Sequence, residues 1–364
     1  GSSVDNFDRV WLKANLEASA PGINRTDLEA LQLEMLFRLD GADEREVDGR
    51  RILVDATEKY QIQLPRVENS FAMQSCQAQE GDQEKYASFR FFRETKGASG
   101  LRIESFGTDQ RNARSETTSA IKKEDGYTFG AWVKMRLEDN QLTKPAGDGP
   151  GMPVSGFNPL LLETRARLKF PNARMGILSR AVPAIPGAVS RPWEWDFSVT
   201  ENRASVRVNR KGNGEFAKTL PWAGNFGTCQ AVSARGQSVS MECWVFVAMA
   251  FDPGSQRAMS FLIRDSQNSW LLHREVVPHA ESSDTSFFNS SEVVLGAGVA
   301  ESTAFSGFLR GVFFAKHALS SEQLLKLALA TAPSNTRYLV RDGQSVDRLA
   351  YLVKPRCSQF DLKP

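Results

Sequence analysis

The chain has 364 residues, 41% of them hydrophobic and 24% charged, which are the proportions of an ordinary globular protein able to bury a large core. Lys and Arg number 45 against 43 Asp and Glu, so a net charge of +2 gives no chain-wide attraction for nucleic acid or an anionic membrane. No apolar run approaches the ~20 residues of a membrane-spanning helix, so membrane insertion is not expected.

In chain order, the first expected elements are helical. Gly1-Ser2 has the form of a cloning remnant, so the lack of a leader peptide says nothing about compartment. FDRVWLKANLEA reads as one helix, with a break at Pro21-Gly22. NRTDLEALQLEMLFRLDG reads as a second: Thr26 and Glu29 have capping-box spacing, Gly41 ends the run, and Leu28, Leu31, Met35, Leu36 and Leu39 recur at helical spacing. Residues 1–70 are therefore expected to form a short α-helical N-terminal extension, a hairpin whose apolar stripe needs a partner surface.

From about residue 86 the period changes to two. YASFRFFRE, GLRIESFG, YTFGAWVKMRL, TRARLKF, WEWDFSV, ASVRVN, CWVFVAMAFD, RAMSFLIRD, SEVVLGAG and FSGFLRGVFFA read as strands. Turn formers part them, as in Asp252-Pro-Gly-Ser255 and Lys211-Gly-Asn-Gly214. Strands in this number without intervening helices predict a mainly β protein, an antiparallel β-sandwich over residues 71–364 with its core at about 86–330 and tail strands at 336–360. The Pro/Gly-rich stretches 145–159 and 181–192 read as long loops on one rim.

Cys76, Cys229, Cys243 and Cys357 have no metal-binding spacing. Cys229 and Cys243 could be bridged across a hairpin, and Cys76 and Cys357 could staple the terminal strands of the domain. Four free thiols in a reducing compartment fit as well. Sequons at Asn24 and Asn289 suit an extracellular or secretory chain without establishing one. His273, His279 and His317 lie far apart, so no metal site is expected of them.

Several motifs recur in a familiar order: Asp125-Gly126 through Trp132-Val-Lys134, Trp244 through Asp252, RAMSFLIRD, Glu292-Val-Val-Leu-Gly296, and Phe305-Ser-Gly307 followed by GVFFAKHALSSEQLLKL. Together they resemble the laminin-G-like and pentraxin-like domains over roughly residues 86–330. The resemblance implies a concanavalin A-like jelly roll and a short closing helix, here with Ser320 and Gln323 at capping-box positions. It also implies recognition of a glycan or protein partner. Two departures bear on cofactors. Ala297, Gly298 and Val299 stand where pentraxins carry an acidic calcium-binding triplet, and Arg310 replaces the family's common acid after Phe-x-Gly. Calcium takes about six to eight oxygens, mostly from carboxylates, so neither a pentraxin-type calcium site nor any other cofactor is expected. A rim site built from Asp139, Asn140, Asp148 or Asp284 stays open.

The same jelly roll hosts family 16 glycoside hydrolases, whose strand motif is Glu-x-Asp-x-x-Glu or Glu-x-Asp-x-Glu. In WEWDFSVTE, Glu194 and Asp196 would share a strand face, and a retaining mechanism needs two carboxyls ~5–5.5 Å apart. Ser198 and Val199 occupy the positions of the required second Glu, and Glu201 lies too far on. The competing expectation is a wall strand, with Trp193, Trp195 and Phe197 turned into the core and Glu194, Asp196 and Ser198 turned out to water.

The most suggestive polar feature is basic. Arg165, Arg167 and Lys169 share one face of TRARLKF, while Arg207 and Lys211 mark another strand and its turn. Planar guanidiniums suit sulfate and carboxylate, which makes these five the candidate ligand-binding residues. The alternative is a solvated face whose cations pair with acids such as Glu163 and Glu201. The sequence thus points to a non-catalytic recognition module that binds a glycan or protein through rim loops or a basic sheet face. The alternatives are a structural scaffold docking through its apolar stripe and a family 16-like glycosidase.

Overall fold

Both the alternating and the continuously apolar stretches fold as strands, and their inward side chains meet between two antiparallel sheets. The computed structural model describes residues 10–14, 25–39, 43–64, 71–77, 86–91, 100–106, 121–122, 125–135, 174–182, 193–200, 203–209, 215–219, 228–232, 238–242, 244–266, 269–280, 292–298, 305, 307–332 and 356–359.

Strand β1 (Val10–Ala14) precedes helix α1 (Arg25–Leu31), after which come β2 (Met35–Phe37), β3 (Glu44–Val47), β4 (Arg50–Val54) and β5 (Tyr60–Gln63). Next are β6 (Phe71–Gln77), β7 (Tyr86–Phe91), β8 (Leu101–Ser105), β9 (Tyr127–Met135) and β10 (Met175–Ala181). The chain continues through β11 (Trp193–Val199), β12 (Arg203–Val208), β13 (Glu215–Thr219), β14 (Thr228–Val232) and β15 (Ser238–Glu242). It ends with β16 (Val245–Asp252), β17 (Arg257–Ser266), β18 (Ser269–Pro278), β19 (Glu292–Leu295), β20 (Gly307–Ala315), α2 (Ser321–Ala330) and β21 (Arg356–Gln359).

Sheet A runs β1-β18-β17-β16-β9-β20-β7-β6-β21, with β2 pairing the second half of β20. Sheet B runs β13-β12-β11-β10-β19-β8-β5-β4-β3, and β14 pairs β15 separately. The core between the sheets is aromatic at its centre. Phe129 and Phe314 of sheet A stack with ring centroids 4.6 Å apart, and Trp195 of sheet B lies 5.0 Å from Phe129 and 5.3 Å from Phe314.

A third layer covers the other face of sheet A. There Trp132, Phe246, Phe261 and Phe313 pack with Leu324, Leu327 and Ala328 of α2. The expected capping box starts this helix: the Gln323 amide N–H donates to Ser320 Oγ at 3.3 Å, and the Ser320 amide N–H donates to Gln323 Oε1 at 2.8 Å. Trp132 Nε1 donates to the Ala328 carbonyl at 3.0 Å, joining the helix to the sheet. Close approach here requires a glycine. Gly311 has φ +55° at a bulge in β20, and a Cβ on it would lie 2.6 Å from Thr331 Cβ at the end of α2.

The expectation of a mainly β, antiparallel two-sheet protein with few helices matches this architecture. The N-terminal helical hairpin does not. Val10–Ala14, inside the first expected helix, is a strand on β18. The second helix shrinks to Arg25–Leu31, and Met35–Phe37 is a strand that sends Met35 and Phe37 into the core between the sheets. The chain then enters sheet B through β3, β4 and β5. Asp55 secures the turn between β4 and β5. Its buried carboxylate accepts amide N–H bonds from Thr57, Lys59 and Tyr60, and one at 3.3 Å from Leu36 of β2. Burial pushes the Asp55 carboxyl above its usual range, partly offset by these donors.

Candidate functional site

Polar chemistry collects on β10, β11 and β12 of sheet B. In β11 the alternation expected of WEWDFSV holds from Trp195 onward. Trp195, Phe197 and Val199 enter the core between the sheets, opposite Val208, Val206 and Ala204 of β12. Asp196 faces Arg207, and Ser198 faces Ser205, with their hydroxyl oxygens 3.2 Å apart.

The strand breaks its own pattern at Glu194. Arg180 pairs with Trp195 but Ala181 pairs with Trp193, so Glu194 is an extra residue relative to β10. A bulge of this kind re-aims the side chains around it. Glu194 meets Arg180, whose Nε lies 2.6 Å from Glu194 Oε2 in a buried ion pair. Trp193 joins the face of Asp196 and Arg207 instead of the core: the Arg207 guanidinium carbon sits 4.9 Å from the Trp193 ring centroid.

Arg207 is thereby held from two sides. Its Nη2 and Nε donate to Asp196 Oδ2 at 2.8 and 3.3 Å, and Arg174 Nη1 approaches the same oxygen at 3.9 Å. Asp196 is fully buried, and its Oδ1 has no hydrogen-bond partner among the described residues. Asn209 closes the end of the pair, its Nδ2 donating to the Trp193 carbonyl at 2.8 Å. Trp193, Arg207 and Arg174 keep partial exposure around one buried carboxylate.

These positions correct two expectations. Glu194, Asp196 and Ser198 do not meet water: they are 4%, 0% and 0% exposed. Such burial of an acid requires compensation, and each carboxylate has an arginine partner. Trp193 is not a core residue. Glu194 and Asp196 are bound by different arginines, Arg180 and Arg207.

Of the five candidate basic residues, Arg207 falls among the described residues and is bound as above, while Arg165, Arg167, Lys169 and Lys211 lie outside them. So do Asp139, Asn140, Asp148 and Asp284 of the open calcium option. Ala297 and Gly298, at the pentraxin triplet position, pack on β10. Ser179 Oγ donates to the Ala297 carbonyl at 2.9 Å, and a Cβ on Gly176 would lie 1.9 Å from the Gly298 nitrogen. Among the described residues no three His, Cys, Asp or Glu gather into a metal-binding group. Sequence reasoning missed Arg174 and Trp193 as members of the cluster. The available signal was the single run Trp193-Glu-Trp-Asp beside an arginine-bearing strand, which one inserted residue was enough to disguise.

No family model matches the chain, and no curated protein matches it. Solved structures give distant likenesses. The binding domain of Paraclostridial Mosquitocidal Protein 1 aligns at 10% identity and TM-score 0.35, over 81% of this chain and 52% of that one. Sialidase from Trypanosoma rangeli aligns at 8% identity and TM-score 0.34, over 84% and 34%. Tailspike protein 2 of an Escherichia coli O157:H7 bacteriophage aligns at 9% identity and TM-score 0.32, over 65% and 23%. The chain thus spans about half or less of each of these proteins.

Proposed function

We propose that this protein is a non-catalytic recognition module of the laminin-G-like, jelly-roll type, and that it binds a glycan carrying acidic groups at the exposed edge of the Trp193–Arg207–Arg174 cluster. The observation that carries the reading is the fixed guanidinium of Arg207, clamped between the buried Asp196 carboxylate and the Trp193 ring. An indole offers a flat apolar surface for the C–H face of a sugar ring, and a guanidinium locked beside it offers planar donors to a carboxylate or sulfate. Both side chains are immobilised before a ligand arrives, which lowers the entropic cost of binding.

Less supports the scaffold reading, because three residues of the apolar stripe assigned to a docking partner are already buried. Met35 and Leu39 lie in the core between the sheets, and Leu31 packs in the layer beneath α2. The test is a glycan array probed with the native chain and with Trp193→Ala. Binding to uronate-, sialate- or sulfate-bearing glycans that the variant loses, with its unfolding temperature retained, supports the proposal. A blank array for the native chain, with a stable protein recovered by pull-down, would overturn it in favour of protein recognition.

A further inference from the structure

The register at the far edge of sheet A brings two distant cysteines into line. Strand β21 lies at the end of the order β7-β6-β21, and its pairing with β6 is antiparallel. Gln359 pairs with Gln74, Ser358 with Ser75, Cys357 with Cys76 and Arg356 with Gln77. Directly opposed residues of an antiparallel ladder have Cα atoms about 4.5–5.5 Å apart. Disulfide-linked residues require Cα separations of about 4.4–6.8 Å. Register alone therefore meets the geometric condition that two cysteines far apart in sequence rarely satisfy by chance. The other cysteine-bearing hairpin does not align two cysteines, for β14 and β15 set Cys229 opposite Met241.

We propose that Cys76 and Cys357 form a disulfide that fastens the C-terminal strand to the edge of sheet A. A strand of four residues with one neighbour gains little from its own pairing, so it needs a further tie to persist at a sheet edge. A crosslink between such distant positions also removes much of the freedom of the unfolded chain, since loop-closure entropy grows with loop length. The oxidant is a small-molecule disulfide. One cysteine thiolate attacks it to give a mixed disulfide and release one thiolate, and the second cysteine thiolate displaces the other. Two cysteine thiols thus lose two electrons and two protons, and one glutathione disulfide becomes two glutathione thiols. A structural bond of this kind places the working protein in an oxidising compartment.

The experiment uses the full chain, folded in a mixture of glutathione and glutathione disulfide, alkylated under denaturing conditions and mapped by mass spectrometry before and after reduction. The expected result is one peptide pair containing Cys76 and Cys357, lighter by two hydrogen atoms than the free peptides and split by reductant. In parallel, Cys76→Ser, Cys357→Ser and the double variant should lower the thermal midpoint equally, with the difference vanishing under reductant. Recovery of both cysteines alkylated before reduction would overturn the proposal, as would finding either joined to Cys229 or Cys243. Unequal midpoints that persist under reductant would assign the loss to packing and equally overturn it.

Discussion

The outer faces of the two sheets are buried by opposite means. On sheet A the centre of that face is apolar, and Trp132, Phe246 and Phe313 are covered by α2, so burial there is its own reward. On sheet B the face at β10 to β12 carries Ser179, Asp196, Ser198 and Ser205, all buried, with Arg207 matched to the acid. Polar burial is tolerated only where each group finds a partner, and such matched networks specify geometry more than they add stability. The first face therefore reads as architecture. The second, with Asp196 Oδ1 still lacking a partner among the described residues, reads as the place where this chain gave up stability for another purpose.

Substitutions on the two faces should separate these roles. The largest loss is expected on sheet A. Trp132→Ala removes a fully buried indole, its packing 5.4 Å from Phe246 and its bond to α2, and should cost about 4 kcal/mol by urea unfolding at unchanged m. A loss below about 1 kcal/mol would mean that α2 is not the cover that holds this face. On sheet B, Arg207→Ala removes the near partner of a buried carboxylate, leaving Arg174 at 3.9 Å, and should cost about 3 kcal/mol, whereas the double variant Asp196→Asn/Arg207→Met should recover most of it. Additive losses in that cycle would show that the pair is not coupled, and the contrast between the faces would fail.

Sequence made the sheet A side legible where the signal was local. The β16–β17 hairpin pairs two apolar-rich arms across a turn marked by Asp252-Pro-Gly-Ser255, where the Asp252 side chain accepts from the Gly254 amide, and the Ser320/Gln323 capping box is spelled out in four residues. Ambiguity defeated the N-terminal reading. Leu33, Met35, Phe37 and Leu39 satisfy period two as fully as Leu28, Leu31, Met35 and Leu39 satisfy the helical period, and the edge of β20 decided between them. Strand β10 escaped because MGILSRA is buried throughout, with no polar alternation to mark it. The site was the least legible part. Whether Trp193 enters the core depends on one inserted residue, Glu194, and bulges leave no periodic trace.

The smallest expected effect tests whether the apolar cover on sheet A responds to pH. His317 sits in the turn before α2, where its carbonyl accepts from Thr128 Oγ1 at 2.7 Å. Burial holds its imidazole below the ordinary value of 6.5, partly offset by a hydrogen bond with the Leu31 backbone. The folded chain therefore takes up this proton at lower pH than the unfolded chain does. The contribution is fully present above pH 6.5 and is lost as pH falls through the depressed folded value. The buried Asp55 carboxyl, shifted the other way, adds stability as pH falls through its own raised value, so the difference between two proteins is the informative measurement. Urea midpoints measured from neutral to mildly acidic pH should fall more steeply for the native chain than for His317→Gln, with the gap opening below pH 6.5. Parallel slopes would mean that protonation of His317 does not reach the contact between α1 and the turn before α2, leaving the covering layer of sheet A indifferent to acid.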